Sequence, residues 1–207
     1  MEEKTMTPKL LLSFVVDNSA SHKGERLGEW IRAFRAFGAE LPAFLEWELI
    51  TFDTFSPTVV KSFEQKEIAP VSAARFPLLG RAIGTAIDRI EARAGALREA
   101  GEQVYRPWMF ILSDGFTLDA MEETCTRLDE LEKAEKLLCL PFRLSPTLQT
   151  ERLQCLDRSK HMIEIAADGG VEGFFAFVSR MIEQRAALAP DAGIKFSKTD
   201  FEGWAAL

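Results

Sequence analysis

Two histidines, three cysteines and a single tyrosine among 207 residues leave little material for zinc, redox or phenolic chemistry. The cysteines, Cys125, Cys139 and Cys155, are odd in number and form no CxxC pair, so the expectation is three free buried thiols in a reducing compartment. His22 and His161 are too few to hold zinc, and each reads more simply as a loop or strand residue. No apolar run approaches the roughly 20 residues of a membrane span. The opening Met1-Glu2-Glu3-Lys4 lacks the basic region of a signal peptide, and a cytoplasmic location is the expectation. Clusters of Lys and Arg are also missing. With a net charge of −7, neither nucleic acid nor a membrane surface is an expected partner. There is no Walker P-loop, GxGxxG or GxSxG motif, no internal repeat and no low-complexity segment.

What is present is a hydrophobic content of 47%, enough to bury one full core, and an alternation of strand and helix patterns. Leu10 to Val16 is a continuous apolar run of strand length, the mark of a strand buried on both faces. Leu27, Ile31, Phe34, Phe37 and Leu41 recur at helical spacing, and the helix closes near Pro42. Trp47 to Asp53 and Thr58 to Phe63 read as an antiparallel hairpin at a sheet edge, with Asp53 as a turn cap. Leu79, Ile83, Ile87, Ile90, Ala94 and Leu97 mark a second long helix, and Met109 to Ser113 a second fully buried strand. A helix from about Leu118 to Lys136 follows, then a strand over Leu137 to Phe142 in which Pro141 implies a bulge or strand end. The remaining pattern is a short helix at Thr147 to Leu156, a strand at His161 to Ile165 and a helix from Val171 to about Leu188. The fold class expected is α/β, a Rossmann-like, doubly wound, mostly parallel six-stranded sheet with one antiparallel edge strand. Residues 1–188 form the domain, and the tail 189–207, with Phe196, Phe201 and Trp204, is expected to pack back on it.

Both long buried strands end in a carboxylate. The first continues as Asp17-Asn18-Ser19-Ala20-Ser21 and the second as Ser113-Asp114-Gly115. Ligands of open α/β sheets bind at the carboxyl ends of strands, and alternate residues of an extended segment project to one side. Asp17, Ser19, Ser21 and Asp114 would thus gather hard oxygen donors of the kind that suit a divalent cation. A different reading stands beside this one: Asp17, Ser19 and Ser21 as caps of the helix that starts near Lys23.

The order Asp17-x-Ser19-x-Ser21, then Pro77-Leu78-Leu79-Gly80-Arg81-Ala82-Ile83, then Ser113-Asp114-Gly115 resembles the von Willebrand factor A domain family, from about Lys9 to Leu188. It looks closest to the stand-alone bacterial members associated with tellurite resistance. The resemblance implies a metal-ion-dependent adhesion site, with Ser19 and Ser21 on Mg²⁺ (or Mn²⁺) and Asp17 and Asp114 binding directly or through water. The chain departs from that pattern at the third element. On aligning Leu79-Gly80, Pro77 falls where the family places a metal-binding Thr, and Arg75 falls where it places Gly. Proline offers no side-chain oxygen and Arg75 brings a fixed positive charge, so the resemblance implies a weak or absent metal site.

The expected function is a cytoplasmic interaction module, not an enzyme. It would recognise a protein partner, one whose acidic side chain completes the metal shell, within a kinase, phosphatase or AAA-type assembly. Asn18, His22, Arg75, Phe76, Phe116 and Thr117 lie on the converging loops and would form the partner face, with Phe76 or Phe116 as anchor. The competing readings are a metal-independent scaffold and a metal-dependent phosphohydrolase with Asp17 as nucleophile. The second lacks a proton-handling carboxylate, because position 19 is Ser.

Overall fold

The computed structural model describes residues 7–18, 25–52, 57–71, 77–144, 156, 163–166, 168–189, 192–194 and 196–206. Its elements run β1 (Leu10–Asp17), α1 (Glu25–Ala39), β2 (Leu45–Phe52), β3 (Pro57–Lys61), α2 (Leu79–Glu99), β4 (Trp108–Ser113), α3 (Glu122–Lys133), β5 (Leu138–Arg143), β6 (Ile163–Ile165), α4 (Gly170–Ala187) and β7 (Ala205–Ala206). The sheet order is β3-β2-β1-β4-β5-β6-β7. β2, β1, β4, β5 and β6 are parallel, and β3 pairs antiparallel with β2 across a bulge at Leu49/Ile50. This is the expected mostly parallel six-stranded sheet with an antiparallel edge. The tail adds β7, a two-residue antiparallel strand on the opposite edge. Its pattern was too short to be visible as a period in the sequence.

β1 is buried along its whole length, and its alternating side chains separate two cores. Leu10, Leu12, Phe14 and Val16 join the first, with Phe34 and Phe37 of α1 and Phe174, Phe177 and Val178 of α4. Leu11 and Val15 join the second, with Ile83, Ile87 and Ile90 of α2 and Leu128 of α3. The first is an aromatic cluster: the Phe14 ring lies 5.1 Å from both Phe34 and Phe110. The second is mainly aliphatic, with Phe52 and Phe63 at its β2–β3 end. Helices therefore cover both faces, as the two-sided burial of β1 demands.

Three features differ from the sequence reading. The helix expected from Leu118 begins only at Glu122, because Asp119 turns its carboxylate to the start of α2 and so leaves the helical path. Pro141 sits inside β5 opposite Ile111 without a bulge, and among the described residues β6 pairs with Phe142 and Arg143 and not with Pro141. Cys125 is disulfide-bonded, which corrects the expectation of three free thiols. Thiol pairing depends on Cβ proximity in the fold, which spacing along the chain does not reveal. Cys139 is a free thiol, and burial pushes its pKa up. Asp53, His161 and nearly all of Thr147 to Leu156 lie outside the described residues.

The tail lies on α4. Trp204 is buried among Phe142, Phe177 and Phe201, its indole N–H donates to the Asp200 carbonyl at 2.8 Å, and its own carbonyl accepts from the Ala166 amide at 2.9 Å. Gly173 makes this approach feasible, since a Cβ there would stand 2.1 Å from the Trp204 Cβ. No helix among the described residues is long and apolar enough to cross a membrane.

Two outcomes follow from this packing. Trp204→Ala should cost about 3 kcal/mol or more of unfolding free energy, read by denaturant titration, because it empties a ring-sized space between α4 and β5. Lys61, at the end of β3, is buried, and that burial pushes its pKa down from 10.5 to about 8 against the opposing pull of Glu48. The native state thus releases this proton before the unfolded chain does, and Lys61 adds stability as pH rises from about 8 to 10.5. Stability measured across that window should climb more steeply in the wild type than in Lys61→Met.

Candidate functional site

The chain turns from β1 toward β2 on one side, while β4 lies on the other, so the strand order reverses between β1 and β4. Open α/β sheets form a crevice outside the carboxyl ends of the strands at such a reversal. β1 and β4 pair in register up to Val16 opposite Leu112, which sets Asp17 beside Ser113 and Asp114. The structure therefore brings the two expected carboxylates to neighbouring strand ends, as the fold reading required. Both are almost fully enclosed, Asp17 at 1% and Asp114 at 2% exposure.

Local hydrogen bonds hold this pair. Ser113 Oγ donates to Asp17 Oδ2 at 3.2 Å and accepts from the Gly115 amide at 3.1 Å. Asp114 Oδ1 accepts from the Phe116 amide at 3.0 Å. Gly115 has φ +89°, a left-handed turn that lets the chain double back to make these bonds. Ser113, quoted in the sequence motif but not assigned a role there, is fully buried and links the two strand ends.

Pro77 and Thr117 meet beside this pair. The Pro77 carbonyl accepts from the Leu118 amide at 3.1 Å and from the Thr117 hydroxyl at 3.3 Å. Thr117 Oγ1 in turn accepts from the Leu79 amide at 3.0 Å, and its hydroxyl contacts the Asp119 carboxylate. Asp119 takes the amides of Gly80 at 3.2 Å and Arg81 at 2.8 Å. α2 has no capping side chain of its own at Leu78, so its first turn is capped from the loop after β4. Gly80 allows this contact, because a Cβ would lie 2.6 Å from the Ala120 carbonyl oxygen. Asp119 was missed in the sequence, where it falls in the first turn of the helix expected from Leu118 and carries no sign of a bond to another helix.

Among the residues expected on the partner face, Thr117 is buried at 1% and tied internally, Asn18 is buried, and Phe116 is half-buried. Leu118 beside them is 55% exposed. Ser19, Ser21, His22, Arg75 and Phe76 lie outside the described residues. No group of three or more His, Cys, Asp or Glu side chains converges among the described residues. The oxygens at these two strand ends, the Asp17 and Asp114 carboxylates and the Ser113 hydroxyl, are hard donors and fit Mg²⁺ or Mn²⁺ in kind. Pro77 contributes a carbonyl directed at Thr117 and Leu118, and no hydroxyl.

Removing the borrowed cap should weaken the domain without touching its core. Asp119→Ala is expected to cost about 1 kcal/mol, read by thermal or denaturant unfolding.

No family model matches the chain, and no curated protein matches it in sequence. Solved structures do. The SpRpn10 VWA domain superposes with a TM-score of 0.57 at 12% identity over 83% of this chain and 95% of that one. The ArnB paralog VWA2 from Sulfolobus acidocaldarius gives 0.54 at 13% identity over 85% of this chain and 45% of that one. At such identities the likeness is one of architecture, and this chain has the α/β fold of von Willebrand A domains.

Proposed function

We propose that this protein is a binding module that recognises a protein partner at the carboxyl edge of its sheet, over the crevice between β1 and β4, and that it carries no catalytic activity. The observation that carries the reading is the pair of enclosed carboxylates, Asp17 and Asp114, at the point where the strand order reverses. The half-buried Phe116 and the exposed Leu118 beside them offer apolar contact area of the kind that anchors interfaces. Asn18, His22, Arg75, Phe76 and Thr117 complete the proposed partner region, Thr117 by holding its loop against α2.

The metal is part of the proposal. Asp17, Ser19, Ser21 and Asp114 would hold Mg²⁺ or Mn²⁺ weakly, and an acidic side chain of the partner would complete the shell. Weakness follows from Pro77, which has no oxygen in its side chain. A cytoplasmic setting and assembly with a kinase, phosphatase or AAA-type partner belong to the same reading. The nearer likeness to tellurite-resistance proteins rests on the sequence pattern and chain length alone.

Calorimetry of the isolated protein should give no Mg²⁺ affinity tighter than millimolar, and Pro77→Thr should strengthen it. In a pull-down from native extract, Asp17→Asn and Asp114→Asn should each abolish capture of the partner retained by the wild type, with melting temperatures within a few degrees of it. Capture unaffected by both substitutions would place the interface elsewhere.

A further inference from the structure

A second site lies far from these carboxylates, at the amino end of the parallel sheet. A cavity of about 840 Å³ opens between the end of α1, the start of β2 and the segment after β3. Its volume is within the range of about 300–1,000 Å³ typical of small-molecule sites. Trp47, Phe63, Leu41 and Ile68 supply apolar walls. Of the three cations on this lining, Lys61 is the enclosed one, only 3% exposed.

Among the described residues no carboxylate lies within ion-pair distance of the buried Lys61. Its Nζ donates to the carbonyls of Trp47 and Ser62, the latter at 3.0 Å, and lies 4.3 Å from the centre of the Trp47 ring. The neighbouring carboxylates are committed elsewhere. Glu48 is held by Arg89 at 2.7 Å and by Ser13 at 2.8 Å, Glu46 by Arg93 through two bonds of 2.7 and 3.0 Å, and the exposed Glu64 by Arg93 at 3.4 Å. With Glu46 neutralised, the charged groups left on the lining are Lys61, Arg35 and Lys66 against Glu67. The cavity is thus locally cationic in a chain of net charge −7. The carbonyl end of α1 opposes an anion with about half a charge, spread over several groups, whereas the Lys61 ammonium is a whole charge in a low-dielectric wall. Lys61 is the enclosed cation of this lining, and an anion of single charge matches it.

We propose that this cavity binds a small organic carboxylate with an aromatic-sized apolar body, its carboxylate paired with the Lys61 ammonium and its body against Trp47, Phe63, Leu41 and Ile68. An incoming carboxylate gives the enclosed amine the counter-ion that no described residue supplies, and the apolar body covers surface that is now open to water.

The test is calorimetric titration of the full chain with 1-naphthoate and, in parallel, with the neutral 1-naphthamide. The carboxylate should bind at least tenfold more tightly than the amide. Lys61→Met should remove that preference, Lys61→Arg should keep most of it, and Ile68→Trp, which narrows the cavity at its apolar wall, should weaken binding of both. If Lys61→Met does not fold, Ile68→Trp and the amide comparison decide. Absence of naphthoate binding at millimolar concentration overturns the proposal, as does equal affinity for the two probes or unchanged binding to Ile68→Trp. Binding lost with chelator or with Asp17→Asn would move the ligand to the carboxyl edge of the sheet and overturn it equally.

Discussion

Burial of β1 on both faces is the constraint on which the rest of this molecule depends. A strand of eight residues with no solvent-facing side needs a neighbour on each edge and a helical layer on each face. The chain meets both demands by winding first to β2 and then crossing to β4, and that reversal creates the crevice beside the strand ends that carry Asp17 and Asp114. Phe14, at the middle of β1, ties the aromatic layer together through Phe34, Phe37, Trp47, Phe110 and Phe174. Truncation of a ring so placed typically costs about 3–5 kcal/mol, a large part of a domain's net stability.

The opposite face of the same strands carries a polar line through an otherwise mainly aliphatic core. Ser13 and Asp17 of β1, Glu48 of β2 and Ser113 of β4 are all fully or nearly fully buried on the side that faces α2. Burying such groups is costly unless they are bonded. Ser13 donates to Glu48, Arg89 of α2 reaches the same carboxylate, and Ser113 bonds Asp17. Burial still raises the Glu48 pKa, in spite of the Arg89 and Ser13 hydrogen bonds that pull it down. α2 is consequently held at two levels. Its middle is fastened to β2 by ion pairs, and its first turn is fastened to the loop after β4 by Thr117 and Asp119. The carboxyl-edge site is therefore part of the packing of this helix and not an appendage to the sheet.

Much of this was legible from residue patterns. The uninterrupted apolar runs at Leu10 and Met109 announced strands buried on both faces, and helical spacing from Leu79 to Leu97 matches the buried face of α2. The strand-end carboxylates could be paired because parallel strands present their carboxyl ends to one edge. Tertiary bonds were not legible. Asp119 caps a helix that begins 40 residues earlier in the chain, and Thr117, expected on a partner face, is enclosed because α2 needs its oxygen. The Cys125 disulfide and the enclosed Lys61 were hidden for the same reason, since each is defined by what the fold places nearby.

The sequence by itself determined the architecture of this protein and the two acidic strand ends, because apolar periodicity and strand termini are local properties repeated along the chain. The tertiary structure alone decided which polar groups are enclosed, which helix is capped from a distant loop, and where a buried amine borders a cavity. Those features depend on distances between segments far apart in the chain, and no local pattern of residues encodes a distance.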